Sequence, residues 1–288
     1  MCWLCDTKTP QALTGPSSHS PWAPRRAFLL AAGAAAASPV LAQVDVGGAS
    51  TMRNLVPAET LERSAHQQYA QVLVEARAKG TLAPDNHPQL KRLRAMAARL
   101  IPYTRQWNPR VAGWQWEVNL IGSKQVNAWC MPGGKIAFYT GILDNLKLTE
   151  DEAAMVMGHE MAHALREHAR ARLAKSQATG IGLRLGAQLL GLGQVGDMAA
   201  GVGTQLLTLK FSRNDETEAD LVGLEIAARG AYQPDASVNL WKKMTAANGG
   251  KGGLGFLSTH PTGPDRIKQL QANVPKVQAL YAHARQSG

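Results

Sequence analysis

The sequence predicts an α+β fold, mainly helical, with one small antiparallel sheet. Three observations carry that expectation. Runs of helix formers are bounded by capping and stop residues, and a short β-rich stretch lies between Trp114 and Thr140. In addition, 45% of the 288 residues are hydrophobic, enough for a buried core. A charged fraction of 18%, with 28 Gly and 15 Pro, excludes a disordered or low-complexity chain.

The first element is an address. Arg25 to Ala42 reads RRAFLLAAGAAAASPVLA: two arginines, an apolar stretch, then Val40-Leu41-Ala42 as a small-residue cleavage site. That is the pattern of a secretory signal peptide. Arg25-Arg26 followed by Phe28-Leu29-Leu30 makes it twin-arginine-like, an ordinary secretory signal being the alternative. The run is shorter than the roughly 20 apolar residues of a membrane-spanning helix. Residues 1–42 are therefore expected to be removed, leaving 43–288 as a single domain that is periplasmic or otherwise exported. Removal takes Cys2 and Cys5, so Cys130 has no internal disulfide partner. It also takes Asp6, Lys8, Arg25 and Arg26, so the net charge falls only from +10 to +8.

Residues 57–79 and 87–100 read as helices, with Pro57 near the first start, Gly80 as its stop and Pro102 closing the second. WQWEVNLI, QVNAW and KIAFYT follow as strands, separated by Gly122-Ser123 and Pro132-Gly133-Gly134. The run Lys135–Tyr139 is a candidate to pair with an extended peptide. Thr149-Glu150-Asp151-Glu152 is a capping box that opens a long helix expected to reach about Lys175. The Gly-, Ala- and Leu-rich residues 180–209 read as core helices, and a further helix is expected from about Asp215 to Arg229. Gly249 to Gly255 reads as a loop, and Pro264 as the start of a final amphipathic helix.

The long helix carries His159-Glu160-Met161-Ala162-His163. A spacing of i, i+4 puts both imidazoles on one face, where they can share a zinc ion, and Glu160 beside them can take a proton from water. A catalytic zinc site needs a third protein ligand and an open position. Glu216 and Asp220 share a face of the later helix: Glu216 can be the third ligand, and Asp220 can accept the outer N–H of a ligating histidine. Glu218 competes for the third position. Acids at that helix start also have a bland explanation in the helix dipole. His168 lies off the metal face and is expected at the surface.

These residues resemble a family of zinc endopeptidases that includes the CAAX prenyl proteases, the HtpX membrane proteases and the BepA-like periplasmic proteases. The resemblance rests on His159-Glu160-x-x-His163, Phe211-Ser212-Arg213 leading into Glu216-x-x-x-Asp220, Ser258-Thr259-His260-Pro261 with Arg266-Ile267, and Asn127-Ala128 with Pro132-Gly133-Gly134. Together they cover a core of about residues 55–270, most similar in kind to the soluble BepA/Oma-like group. The resemblance implies a gluzincin-like core, one zinc per chain, and Glu216 as ligand over Glu218. It also implies that His260 lies near the metal, aiding the transition state or gating the site.

The expectation is thus an exported zinc-dependent endopeptidase of the HExxH…ExxxD type. His159, His163 and Glu216 would bind metal, with Glu160 and His260 catalytic. The resemblance points to misfolded envelope proteins as substrates. The alternative is a chaperone-like or binding protein with a structural zinc and latent activity. The basic charge leaves peripheral membrane contact open. Nucleic acid is not an expected partner, because no basic recognition helix, RNA-binding aromatic motif or zinc-finger spacing is present.

Overall fold

A computed structural model describes residues 44–178, 206–248, 255–261 and 265–287. The leader, most of the stretch 180–209, the loop from Gly249 and Pro264 lie outside the described residues. The described part belongs to one unit, Ala42–Gly288.

Chain order gives α1 (Ala58–Ala78), α2 (Pro88–Leu100), β1 (Glu117–Ile121), β2 (Ala128–Met131), β3 (Lys135–Tyr139), α3 (Thr140–Asn145) and α4 (Glu150–Leu165). Then come α5 (His168–Ala178), α6 (Arg213–Arg229), α7 (Ala236–Asn248), the short α8 (Gly255–Thr259) and α9 (Arg266–Ser287).

The sheet has the order β1-β3-β2. β2 and β3 form the expected antiparallel hairpin across Pro132-Gly133-Gly134, with Ala128 opposite Phe138. β1, however, pairs parallel to β3, with Glu117 opposite Lys135, so the sheet is mixed. The six residues 122–127 are long enough to carry the chain past β3, a lateral step of about 10 Å at roughly 4.8 Å per strand. This order also corrects the peptide-pairing expectation. β3 is central and both its edges are used, whereas β2 is an edge strand.

Both faces of the sheet are covered. Leu120, Ile136 and Phe138 enter the main core with α2 and α4, and Ile121, Trp129 and Ala137 pack with Ala65 and Tyr69 of α1. Tyr69 pins that layer, its hydroxyl donating to the Ile136 carbonyl (2.7 Å).

α4 is the central helix, with every residue from Glu152 to Leu165 buried. Its capping box forms as the sequence predicts: the Glu152 amide donates to Thr149 Oγ1 (3.2 Å) and the Thr149 amide to Glu152 Oε2 (2.8 Å). α6 has a matching box, the Asp215 amide donating to Ser212 Oγ and the Ser212 amide to Asp215 Oδ2. The two helices meet backbone to backbone at Gly158 and Gly223. A Cβ on Gly223 would lie 2.6 Å from the His159 nitrogen, and one on Gly158 would lie 2.7 Å from the Gly223 carbonyl oxygen. Only glycine permits that approach, which sets the face of α6 against the histidine turn of α4.

The expected single helix to Lys175 is two helices. α4 ends at Leu165, and Glu167 takes a left-handed conformation (φ 57°) before α5 begins at His168. Arg53 and Arg170 bind its carboxylate at 3.2 and 2.7 Å.

Candidate metal centre and active site

Four buried residues from three segments bring one ligand atom each to within 4.8 Å of one another: His159, His163, Glu216 and His260. α4 supplies the histidine pair, the first turn of α6 supplies Glu216, and His260 follows directly after α8. The Nε2 atoms of His159 and His163 are 3.1 Å apart. Glu216 Oε2 is 3.6 Å from His159 Nε2, and Oε1 is 3.5 Å from His163 Nε2. Ligands at 2.0–2.1 Å in a tetrahedron lie about 3.3 Å apart. The donor types and their mutual spacing both fit zinc.

The atoms behind these donors orient them. His159 Nδ1 is 3.0 Å from Asp220 Oδ1, so the Nδ1–H donates there and the Nε2 lone pair faces the cluster. Phe211 stacks on the His163 ring, centroids 4.0 Å apart. Arg266 spans both carboxylates of α6: Nε and Nη2 donate to Asp220 at 2.5 and 2.9 Å, and Nη1 lies 2.8 Å from Glu216 Oε2. That last contact is an ion pair without hydrogen-bond alignment, so Glu216 Oε2 remains open to a further partner. The guanidinium also lies over the Trp241 ring, 3.4 Å from its centroid.

Glu160 stands beside the cluster with its Oε1 buried and without a hydrogen bond, 3.6 Å from His260 Nε2. His260 Nδ1 in turn lies 3.1 Å from Glu216 Oε1. Glu160, His163 and His260 face a cleft whose walls include Trp129, Cys130 and Phe211.

The Peptidase family M48 profile matches residues 86–274, which run from α2 into the first part of α9 and contain every residue just described. The chain belongs to peptidase family M48. It is 33% identical over 219 residues to the mitochondrial metalloendopeptidase OMA1 of Schizosaccharomyces pombe, covering 75% of this chain and 62% of that protein. With OMA1 of Arabidopsis thaliana it shares 36% over 177 residues, 61% of this chain and 35% of the relative. With the metalloprotease LoiP of Escherichia coli it shares 26% over 205 residues, 70% and 77% respectively. The chain thus spans between about a third and two thirds of the OMA1 proteins it matches. M48 metalloproteases use zinc, and this buried donor set can bind it.

Electrostatics suit the M48 ion. Burial pulls His159 down from the ordinary histidine value against the hydrogen bond to Asp220, so its ring is neutral at pH 7. His163 lies further down, through burial and the neighbouring imidazoles. Burial alone would raise Glu216 and Asp220. The His260 hydrogen bond to Glu216, and the Arg266 charge on Asp220, outweigh it and hold both carboxyls below their usual range. Burial pushes Glu160 up to about 7, opposed by His260 and assisted by Glu216. That is the range for a group exchanging a proton near neutrality.

Of the sequence candidates, His159, Glu160, His163, Glu216, Asp220 and His260 converge. Glu218 does not: its carboxylate sits with Arg166 (2.8 Å) and His168 (3.3 Å), away from the four donors. His168 corrects an expectation. It is buried, 3% exposed, with Nδ1 3.0 Å from His163 Nδ1. The break at Glu167 turns it back toward α4, which an unbroken helix would not do. Arg266 and Phe211 stood in the sequence only as motif residues without a role. Their signal was position within a matched motif; nothing in local spacing ties Arg266 to Asp220.

Proposed function

We propose that this chain is an exported zinc endopeptidase that cleaves polypeptides, with His159, His163 and Glu216 as the ligands and Glu160 as the general base. The observation that carries the reading is Glu160. A structural zinc site has no use for a buried carboxylate with a free oxygen lining a cleft, beside a His₂Glu donor set. When bound, zinc supplies Lewis acidity, acidifying water and polarising a carbonyl. Glu160 takes the proton from the attacking water and passes it to the leaving amine nitrogen. His260, within reach of Glu160, donates to the oxyanion that develops on the scissile carbonyl. Among the described residues the outer edge of β2 is unpaired and runs along the cleft wall, where an extended peptide can lie.

Glu160→Gln tests the reading. It should retain one zinc per chain and lose casein cleavage; cleavage at the native rate would sink the mechanism. Export rests on the leader pattern of the sequence. Fractionation of a C-terminally tagged chain, with the mature N-terminus found at Gln43, supports it, and a tagged chain retained with its leader in the cytoplasm overturns it. Substrates in envelope protein quality control follow from the resemblance to BepA-like proteases. Comparing envelope proteomes of native and Glu160→Gln strains would identify them.

One observation favours a second reading, a latent enzyme. His260 is a fourth donor of the cluster, 3.4 Å from His159 Nε2, and four protein ligands close a zinc site. His260→Ala should lower cleavage if His260 assists the reaction and raise it if His260 occupies the open position.

A further inference from the structure

The two histidines of α4 have unequal support. His159 gives its Nδ1–H directly to the Asp220 carboxylate. His163 has no carboxylate behind it among the described residues. Its Nδ1 faces the Nδ1 of His168 at 3.0 Å, and His168 Nε2 faces Glu218 Oε2 at 3.3 Å. Arg166 Nε donates to the same oxygen at 2.8 Å and its Nη2 to the Gly47 carbonyl at 2.9 Å, holding the carboxylate in place.

Proton bookkeeping along this line leaves one arrangement for neutral rings. A carboxylate accepts only, so the His168 Nε2 carries its hydrogen and donates to Glu218. His168 Nδ1 is then an acceptor, and the atom facing it, His163 Nδ1, must donate. The His163 Nε2 lone pair is left pointing at His159 Nε2, 3.1 Å away, whose lone pair points back for the parallel reason. Two facing lone pairs repel, and a cation between them resolves the repulsion.

We propose that His168 and Glu218 are positioning residues, an imidazole–carboxylate relay that sets the tautomer of His163 so that Nε2 is presented to zinc. The inference deepens the reading of His163 as a ligand and rests on it. The backbone supports it independently. His168 reaches His163 only because Glu167 adopts a left-handed conformation, which is strained for a non-glycine residue. Two arginines hold that residue where it is.

The test measures zinc affinity by competition with a chromophoric chelator, alongside the histidine tautomers of the metal-free protein by long-range ¹H–¹⁵N spectra. His168→Phe keeps the bulk and removes the acceptor; affinity should fall roughly 10–100-fold and the Nδ1–H tautomer of His163 should lose its dominance. In His168→Gln the side-chain oxygen can accept from His163 Nδ1–H, and affinity should stay within a few-fold of native. Glu218→Leu should move both readouts in the direction of His168→Phe, and it carries the test if the Phe variant does not fold. His163→Ala is run in parallel. If it binds zinc normally, the reading of the site fails. If it loses zinc while His168→Phe binds as tightly as native, only the relay is overturned. A folded Gln variant as weak as Phe also overturns it.

Discussion

α4 presents His159 and His163 from a helix buried on every side, and both rings are neutral, held by hydrogen bonds to partners on other segments. α6 presents Glu216 and Asp220 from its first two turns, and both are charged, held by a single buried arginine from α9. A neutral donor can be buried at little cost once its outer N–H is satisfied, whereas a buried carboxylate needs a compensating charge. Arg266 therefore does for the carboxylate side what Asp220 and His168 do for the histidine side. Its one positive charge against two carboxylates leaves a negative balance into which a dication fits.

The sharpest way to break this comparison is Arg266→Met, which strands two buried carboxylates. It should destabilise the metal-free protein by about 3–5 kcal/mol in urea denaturation, and Arg266→Met with Asp220→Asn should recover part of that loss. A double variant no more stable than the single would show that Asp220 does not need the charge. The same pair sets a pH dependence. Asp220 lies below its ordinary value, Arg266 outweighing burial, so the stability it adds is present at neutral pH. It is lost as pH falls through the carboxylate range and below. An acid titration of unfolding should be flatter in Asp220→Asn.

Removing zinc with a chelator comes next. At free zinc 100-fold above Kd, binding contributes about 2.7 kcal/mol, so the melting temperature should drop on chelation and return on adding zinc. Glu216→Gln should abolish that difference, while Glu218→Gln should largely keep it. An unchanged response in Glu216→Gln would move the third ligand elsewhere.

Gly223→Ala tests the contact that joins the two sides. Its Cβ would overlap the His159 backbone, so the helices must part, costing about 1–3 kcal/mol and weakening zinc affinity. A native zinc affinity in a folded Gly223→Ala would show that the glycine contact does not set the ligand spacing. The smallest effects are expected at the caps. Thr149→Ala and Ser212→Ala should each cost about 1 kcal/mol. Only Ser212→Ala should also weaken zinc, because Glu216 lies one turn from its cap and His159 lies ten residues from Thr149; equal effects on zinc would contradict this.

Much of the centre was legible because its chemistry is local. His159 and His163 share a face through the helical repeat alone, as do Glu216 and Asp220, and Thr149 with Glu152 announces where the first helix starts. The choice between Glu216 and Glu218 was open on spacing, since both sit near the same helix start. It was the resemblance that favoured Glu216, and it is Glu216 that lies with the donors. The sheet was legible as strands and turns but not in its order, because a six-residue connection can either fold back as a hairpin or pass over a neighbour.

By itself, then, the sequence determined the two helices before the sheet, the strands, the Thr149 cap with the helix it opens, and the residue types of the metal centre, all set by interactions a few residues apart. The tertiary structure decided which carboxylate meets the histidines, that Arg266 bridges both acids, and that His168 turns inward. Each of these depends on a contact between segments some 50 to 100 residues apart, or on one backbone conformation at Glu167 that helix propensity does not foretell. Such contacts are selected by the packing of the whole core, where Gly158 and Gly223 let two helices touch, and no local pattern encodes them.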